Sequence, residues 1–232
     1  MNAGNSDLYT MNIALAAATP REIEPVQQYL SERLYLKGHI QFSLVLTGVG
    51  LVATTYALAR EWREQRPDIA IQAGIGGSFH TRFEPGQVVA VEDEVLGDLG
   101  VQEQDWNDVY DMQLADPDQF PYRQGSLPNP HQALLQKTQL PLVRGLSVNQ
   151  VSTDPLLIRQ RYQKYHPHVE SMEGAAFHHV CLMENIPFVQ LRAISNRVGE
   201  RDKSRWHMAE AVHNLNEALI HFINRLAEHS HS

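Results

Sequence analysis

Residues 12–46 read NIALAAATPREIEPVQQYLSERLYLKGHIQFSLVL, a stretch that joins an apolar run, a helical pattern and a second apolar run. The first run, Asn12 to Ala18, has the length of a strand. Thr19-Pro20 is a capping residue followed by proline, which is typical of a helix start, and a helix is predicted over about Pro20 to Leu36. A second strand is predicted around Phe42 to Leu46. Strands joined through a helix build parallel sheets, so the predicted fold class is α/β.

The same alternation continues to the end of the chain, without a repeat or a low-complexity linker. A single domain is therefore predicted over residues 11–228, preceded by a loose polar extension, Met1 to Thr10. The further predicted strands are Asp68 to Gln72, Val88 to Leu96, Leu142 to Val148, His168 to Met172 and Pro187 to Ile194. The further predicted helices are Val52 to Gln65, His131 to Lys137, Asp154 to Tyr165, Gly174 to Glu184 and Ser204 to Glu228.

Composition limits the classes of partner. The 232 residues are 43% hydrophobic, with 19 Lys and Arg against 27 Asp and Glu, for a formal charge of -8. This balance argues against nucleic acid and anionic membrane surfaces as partners and favours a small buried ligand. The single cysteine, Cys181, cannot form an internal disulfide, and the early apolar run is too short for a membrane span. We expect a cytoplasmic protein.

Two glycine-rich segments follow predicted strands. Gly48 to Ala53, GVGLVA, fits a dinucleotide fingerprint, but it is not in the first strand-to-helix turn, so a tight turn that packs a helix is the favoured interpretation over a nicotinamide site. Gly74 to Gly77, GIGG, ends a strand at the sheet edge where open α/β proteins bind ligands. Glycines there let backbone amides approach a ligand. We therefore predict that Gly74, Ile75 and Gly76 line a binding site.

Two polar segments end later strands. Glu173 lies in Ser171 to Ala176, SMEGAA, where a carboxylate either complements a helix dipole or accepts hydrogen bonds from a vicinal diol, and the motif alone leaves both open. Arg192 to Asn196, RAISN, ends the last strand and precedes a charged loop. Because both segments follow strands, convergence with the glycine segment is predicted.

The region from Gly97 to Pro130 has no clear period, and loops of this length are commonly functional. We expect it to cover the substrate, with Trp106, Tyr110 and Phe120 supplying an aromatic wall. None of the twelve histidines falls in a ligand-spaced set, so no metal site is predicted.

In this order, the glycine segments, SMEGA and RAISN resemble the nucleoside phosphorylase/nucleosidase superfamily over Met11 to about Leu226. The resemblance implies a single α/β domain with a central mixed, twisted sheet, a barrel-like core and flanking helices. It implies cleavage of N-ribosidic bonds without a cofactor, and commonly a homo-oligomer. Ser171 to His178 and Ile194 to Trp206 are most similar to the futalosine hydrolase family, which implies release of hypoxanthine from futalosine in menaquinone biosynthesis.

The resemblance also assigns roles to residues. Superfamily phosphorylases carry arginines at the positions of Glu22 and Gln72, because phosphate needs bidentate cationic partners, and relatives use a serine where Ile75 stands. A carboxylate repels a phosphate dianion but accepts a proton from water, so Glu22 is the predicted general base of a hydrolase. Glu173 is predicted to hold the ribose hydroxyls and Met172 to pack against the sugar.

Asn196, beside Ser195, departs from the aspartate of adenine-releasing relatives. An amide nitrogen can donate to O6 of a 6-oxopurine while the amide oxygen accepts from protonated N7. A buried mismatch costs about 1–3 kcal/mol, so Asn196 is predicted to set the base preference. The alternative interpretation of Asn196 is a turn residue at a strand end.

Other functions stay open from the sequence. One is a nucleosidase of the same fold that acts on methylthioadenosine, adenosylhomocysteine or aminodeoxyfutalosine, and another is a nucleoside- or dinucleotide-binding module without turnover. Futalosine also carries an acidic carboxybenzoyl group beyond C5′, for which Arg201, Lys203 and Arg205 are the candidate cations.

Overall fold

A computed structural model describes residues 10–33 and 40–228. The strands are β1 (Met11–Ala17), β2 (Ile40–Leu46), β3 (Ile69–Ser78), β4 (Val88–Leu96), β5 (Gly100–Gln102), β6 (Trp106–Asp108), β7 (Ser126–Pro128), β8 (Leu142–Ser147), β9 (Val169–Ser171) and β10 (Phe188–Arg197). The helices are α1 (Pro20–Arg33), α2 (Leu51–Glu64), α3 (Gln132–Gln136), α4 (Pro155–Tyr165), α5 (Gly174–Met183) and α6 (Met208–Glu228).

The central sheet closes on itself. Its strand order is β10-β4-β8-β9-β3-β1-β2, and β10 also pairs with β3. Strands β3, β10, β4, β8 and β9 therefore form a closed five-stranded ring, while β1 and β2 extend the sheet from β3. Most pairs are parallel, but β10 with β4, β3 with β9 and β4 with β7 are antiparallel. The prediction of a single α/β domain with a mixed sheet and a barrel-like core is confirmed.

Helices cover both faces of the sheet. Ile13 and Leu15 of β1 face a buried cluster that includes α1 and α6, whereas Ala14 and Ala16 face a second cluster that includes α2 and α5. This alternation follows from the two-residue period of a strand. In β10, Val189, Leu191 and Ala193 belong to the first cluster. The residues between them, among them the buried Gln190 and Arg192, point to the opposite side.

The strands run further than predicted at two important places. GIGG is not a loop after a strand but lies inside β3, and Ser195 and Asn196 lie inside β10. β3 and β10 pair with each other along these segments, with a register shift between Ile194 and Asn196. Pairing continued beyond the apolar runs because each strand supplies the other's hydrogen-bond partners.

Other boundaries differ by a few residues. The last helix begins at Met208 rather than Ser204, because residues Lys203–Arg205 form a 3-10 turn with Asp202 as its cap. The predicted extension, apart from Thr10, lies outside the described residues, and so does the predicted end of α1 at Leu36. Within the described ranges, no helix is both long and apolar enough to cross a membrane.

The region from Gly97 to Pro130 folds against α4. The Trp106 indole donates to the Tyr165 hydroxyl (2.8 Å), and Lys164 lies 2.9 Å from Asp108. Residues 97–130 are all described, and none of them lines the cavity that holds the predicted site. The predicted substrate cover and aromatic wall are therefore wrong for the single chain. Trp106 is buried against Tyr165 of α4, the Tyr110 ring lies 6.2 Å from that of Tyr122, and Phe120 is exposed.

Candidate active site

A cavity of about 330 Å³ opens beside the ends of β1, β3 and β10. Its size is in the range of small-molecule sites. Seven of the eight residues predicted to form a site line it, although they come from four separate stretches of the chain. They are Glu22, Ile75, Gly76, Met172, Glu173, Ser195 and Asn196. The fold therefore brings these segments together at one cavity, as their predicted positions after strands indicated.

Glu22 divides its two oxygens between the fold and the cavity. It is 8% exposed and stands in the first turn of α1. Its Oε2 accepts hydrogen bonds from the Thr19 backbone N–H (2.8 Å) and hydroxyl (3.0 Å), an arrangement that stabilises the helix start. Its Oε1 lies 3.4 Å from the Ile75 N–H. One oxygen is thus fixed by the cap, and the other retains lone pairs for a ligand or a water.

Glu173 is held by groups other than its own helix. It is the N-cap residue of α5, yet its side chain makes no capping hydrogen bond. Instead its Oε1 accepts from the Gly50 N–H and its Oε2 from Arg192 Nη1, each at 3.3 Å. The GVGLVA turn therefore contributes an amide to a carboxylate of this chain. Its place at the start of α5 also suits the helix dipole, so both interpretations of Glu173 stay open.

Arg192 was not among the predicted site residues. It is 1% exposed, and its Nη2 donates to Gln72 Oε1 at 2.9 Å. Through Nη1 it forms the buried ion pair with Glu173. The signal in the sequence is a charged residue inside a mostly apolar predicted strand. An arginine buried there requires a partner, so a partner could have been looked for.

Gly74 serves Arg192 rather than a ligand. It does not line the cavity, in contrast to the prediction. A Cβ at position 74 would lie 2.2 Å from Arg192 Nη1 and 3.2 Å from Glu22 Oε1. The missing side chain makes room for the guanidinium, so Gly74 lies beside both Arg192 and Glu22.

Gly76 also has a packing reason. A Cβ there would lie 2.7 Å from Val169 Cγ2 and 2.8 Å from the Glu170 carbonyl oxygen. The close approach of β3 to β9 therefore requires glycine at this position, which still lines the cavity.

Asn196 has a fixed amide. Its Nδ2 donates to the Arg197 carbonyl and its Oδ1 accepts from the Ser195 hydroxyl, both at 2.7 Å. An amide has two N–H donors and two acceptor lone pairs, so one of each remains for a ligand. The register shift at Ser195 is a bulge-like irregularity, a feature that commonly redirects side chains at sites, and both Ser195 and Asn196 line the cavity.

A further buried carboxylate lies against Gly174, the first residue of α5, and does not line the cavity. Glu94 is fully buried and accepts hydrogen bonds from Gln190 (2.8 Å) and Ser147 (3.0 Å). Burial raises the pKa of Glu94 to about 7. Cβ atoms at Gly145 and Gly174 would lie 2.4 Å and 1.9 Å from its Oε1, so two glycines form the slot that holds it.

Glu170, on β9, is a further cavity-lining acid that the sequence did not single out. Its oxygens accept from the backbone N–H (3.0 Å) and hydroxyl of Ser152, and Arg161 donates to the same hydroxyl. Burial raises the pKa of Glu170 above the ordinary carboxyl value. The short sequence VES gives no pattern from which this partnership could be predicted.

The mouth of the cavity holds Arg21, Trp206 and Met208. The predicted cations for the acidic end of the substrate, Arg201, Lys203 and Arg205, do not line it. Arg205 pairs with Glu200 at 3.1 Å, and the Arg201 guanidinium lies 5.9 Å from the Trp206 ring centroid. Sequence proximity to RAISN placed these three residues too close to the site, because the loop turns them outward.

Metal-ligating side chains do not group together in residues 10–33 and 40–228, where no set of three or more His, Cys, Asp or Glu is placed to hold an ion. Arg192 is the cation that pairs with Glu173, one of the acids that line the cavity.

Known proteins share this sequence pattern and fold. A futalosine hydrolase from Thermus thermophilus is 30% identical over 188 residues, which cover 77% of this chain and 79% of the relative. A 5'-methylthioadenosine/S-adenosylhomocysteine nucleosidase from Maridesulfovibrio salexigens is 27% identical over 84% of this chain and 89% of the relative. The solved structure of a futalosine hydrolase from Helicobacter pylori superimposes with a TM-score of 0.75 at 14% identity, covering 93% of this chain and 98% of that one.

The sequence profile of the Phosphorylase superfamily matches residues 12–226, which include every element from β1 to most of α6. The closed ring of strands, the helices on both faces and the cavity beside β3 and β10 all lie within the matched residues. The chain belongs to the phosphorylase superfamily.

Proposed function

We propose that this protein hydrolyses the N-ribosidic bond of futalosine and releases hypoxanthine and dehypoxanthine futalosine. The observation that carries the proposal is the presence of Glu22, Glu173 and the neutral amide of Asn196 in one cavity. The similarity to a futalosine hydrolase over most of both chains supports the same substrate.

Charge development in the reaction suits the two acids. As the bond between C1′ and the purine breaks, positive charge spreads over the ribose, and a carboxylate near the ring stabilises this transition state more than the ground state. Glu173 accepts hydrogen bonds from the ribose hydroxyls in this proposal, and Met172 packs against the sugar. The buried ion pair with Arg192 fixes the direction of the Glu173 carboxylate.

Glu22 activates the water. Its Oε1 takes one proton as the water oxygen bonds to C1′, while Oε2 stays in the helix cap that orients the side chain. The purine departs with a proton that N7 takes from solvent, and Glu22 then returns the proton of the attacking water to solvent, so the protons balance. Asn196 accepts the N7–H through Oδ1 and donates to O6 through Nδ2, each with its remaining hydrogen-bonding capacity.

Hydrolysis is favoured over phosphorolysis by the same carboxylate. Glu22 is buried beside Ile75 and would repel a phosphate dianion at the position from which the nucleophile attacks. A bidentate phosphate clamp needs paired cations, and Arg192 is already bonded to Glu173 and Gln72.

A second candidate is release of adenine from methylthioadenosine, adenosylhomocysteine or aminodeoxyfutalosine. The similarity to the Maridesulfovibrio nucleosidase favours it. The amide at position 196 argues against it, because a 6-amino group does not accept the hydrogen bond that Nδ2 offers.

The deciding experiment incubates the purified chain with futalosine, aminodeoxyfutalosine and methylthioadenosine in buffer without phosphate, and quantifies the released base. We expect hypoxanthine from futalosine to form with the highest kcat/KM. Preferential adenine release would overturn the base assignment, and turnover only after phosphate is added would make the protein a phosphorylase. Tight NAD binding without base release would favour a binding module.

We further propose that the enzyme serves menaquinone biosynthesis in the cytoplasm as a homo-oligomer. Exposed apolar side chains on α2 near the cavity, Val52 at 82% and Tyr56 at 67% exposure, support self-association. Light scattering of the purified chain measures this directly, and a monomeric mass at micromolar concentration would contradict it.

A further inference from the structure

The acids that line the cavity have hydrogen-bond or ion-pair partners, whereas the cation that lines it has none among the described residues. Of the described residues, four acids line it, and each has a donor: Glu22 from Thr19, Glu170 from Ser152, Glu173 from Arg192 and Glu200 from Arg205. Arg21 is the single lysine or arginine in the described lining. Within residues 10–33 and 40–228 it has neither an ion-pair nor a hydrogen-bond partner.

Helix stability does not explain Arg21. It stands at the second position of α1, where the helix dipole favours acids and disfavours cations. The preceding and following residues, Pro20 and Glu22, are both suited to a helix start, whereas Arg21 is not. An unpaired arginine in an unfavourable position beside a cavity indicates a partner that the free chain does not contain.

The surroundings of Arg21 indicate the shape of that partner. Trp206 and Met208 line the same cavity, and Met208 is 40% exposed. Helix α6 is tied to α1 by Asn216, whose Nδ2 donates to the Glu22 carbonyl and whose Oδ1 accepts from the Val26 N–H. A cavity lined by these two apolar side chains and one guanidinium suits a planar apolar group that ends in a carboxylate.

The position of Arg21 at the open end of the cavity suits a contact with the group that a nucleoside carries beyond C5′. Asn196 faces the base and Glu173 the ribose in the proposed function, and both are more enclosed than Arg21, which is exposed. A substituent beyond C5′ must extend toward the open end, because the enclosed part is taken up by base and sugar.

Resting on the proposed function, we infer that Arg21 is the residue that selects a nucleoside with a carboxylate at the end of its 5′ substituent, by pairing with that carboxylate at the mouth. The step is binding only, so Arg21 takes no part in bond breaking. Free phosphate has related chemistry, but the adjacent Glu22 carboxylate disfavours a dianion there.

The test compares futalosine with its methyl ester, which differs only in the charge of the distal group. We expect Arg21→Gln to lower kcat/KM for futalosine by about 10-fold to 100-fold, as for loss of a charge-assisted hydrogen bond, and to leave the ester within about 2-fold. Arg21→Lys should recover part of the loss. Lys203→Gln is the matched control, an exposed cation of the nearby loop that does not line the cavity.

Each other outcome overturns the inference. Equal losses on both compounds would place Arg21 on a part that they share, and unchanged rates on both would remove it from recognition. A loss that appears only with added phosphate would make Arg21 a phosphate ligand. Calorimetric binding of the acid and the ester to wild type and Arg21→Gln gives the same comparison without turnover, so failure of the proposed hydrolysis is distinguished from failure of the Arg21 assignment.

Discussion

The cavity and the buried site of Glu94 beside Gly174 both contain buried carboxylates, but the carboxylates of the two regions have different surroundings. Glu22 and Glu173 each line the cavity, and their oxygens accept from backbone amides, a threonine and an arginine. Glu94 has no exposed surface and is bonded to the side chains of Gln190 and Ser147. All three acids are buried, but only Glu22 and Glu173 line the cavity. Access to the cavity therefore distinguishes acids that can contact a substrate from an acid, Glu94, that supports the fold.

Charged partners differ between the two regions as well. Glu173 has a buried arginine at 3.3 Å. Glu94 has neutral hydrogen-bond donors in contact, and Arg192 and Asp93 influence it only at longer range, so burial dominates and raises its pKa to about 7. The same residue type therefore has a charged partner in one region and neutral hydrogen-bond donors in the other.

The strongest test of this contrast removes one charge at a time from the cavity. Glu22→Gln and Glu173→Gln should each lower kcat for base release by about 10²-fold to 10⁴-fold, because a general base or a charge that stabilises the transition state is lost. Steady-state kinetics on futalosine measures both.

Stability should separate these two variants. Glu173→Gln leaves Arg192 without its carboxylate, so its free energy of unfolding should fall by about 3 kcal/mol, whereas Glu22→Gln should lose about 1 kcal/mol of helix capping. Glu200→Gln is the control, since Glu200 lines the same cavity but pairs with Arg205 near the surface. Near-normal rates in either cavity variant would remove that residue from its role.

Base preference gives a smaller effect at the other end of the cavity. Asn196→Asp replaces an amide donor with an acceptor, so the ratio of hypoxanthine to adenine release should fall by roughly 5-fold to 150-fold. The Arg197 carbonyl, which now accepts from Nδ2, would also face a carboxylate. Competition between futalosine and aminodeoxyfutalosine measures the ratio, and an unchanged value would contradict the assignment of the amide.

Glu94→Gln should change stability rather than chemistry. Because the folded pKa of about 7 exceeds the unfolded value of about 4.5, the folded state binds the proton more tightly. Glu94 thus contributes stability that is complete below about pH 4.5 and is lost as the pH rises through 7, by on the order of 3 kcal/mol. Wild type should lose this amount relative to Glu94→Gln between pH 4.5 and pH 8.

Chemical unfolding of both proteins at several pH values measures the Glu94 effect. The buried His178, whose pKa burial lowers to about 4, depends on pH with the opposite sign but is common to both proteins and cancels in the difference. Glu64→Gln, at an exposed end of α2, serves as the control. Parallel curves for wild type and Glu94→Gln would show that Glu94 does not titrate in this range.

The smallest effect concerns an acid that belongs to neither region. Asp154 caps α4, and its Oδ1 accepts from the N–H groups of Leu156 (2.7 Å) and Leu157 (3.2 Å). Asp154→Ala should cost about 1 kcal/mol of unfolding free energy and leave kcat unchanged. Asp154→Asn keeps the acceptor and should cost less, and a large loss of activity would mean that α4 influences the cavity.

The sequence predicts the fold and seven of the residues that line the cavity, because both depend on local patterns. Alternating strands and helices placed Glu22, Glu173 and Asn196 after strands, and strand ends meet at one edge. The function of Arg192 and Glu94 could not be predicted in the same way, since each depends on partners more than 15 residues away that only strand pairing brings near. The prediction that residues from Gly97 to Pro130 cover the substrate was wrong for a related reason. The composition of this region does not specify the side of the molecule on which it packs.

Gly74 and Arg192 occupy adjoining positions of β3 and β10, and the guanidinium fills the volume that a methyl group at 74 would need. Substitution at the two positions must therefore be correlated: alanine becomes tolerable at 74 only when a shorter residue replaces the arginine. A library that varies both positions at once should yield functional clones in which 74 stays glycine wherever 192 stays arginine. Because Arg192 in turn pairs with Glu173, the residue at position 74, which does not line the cavity, limits which sequences can keep Glu173 in place.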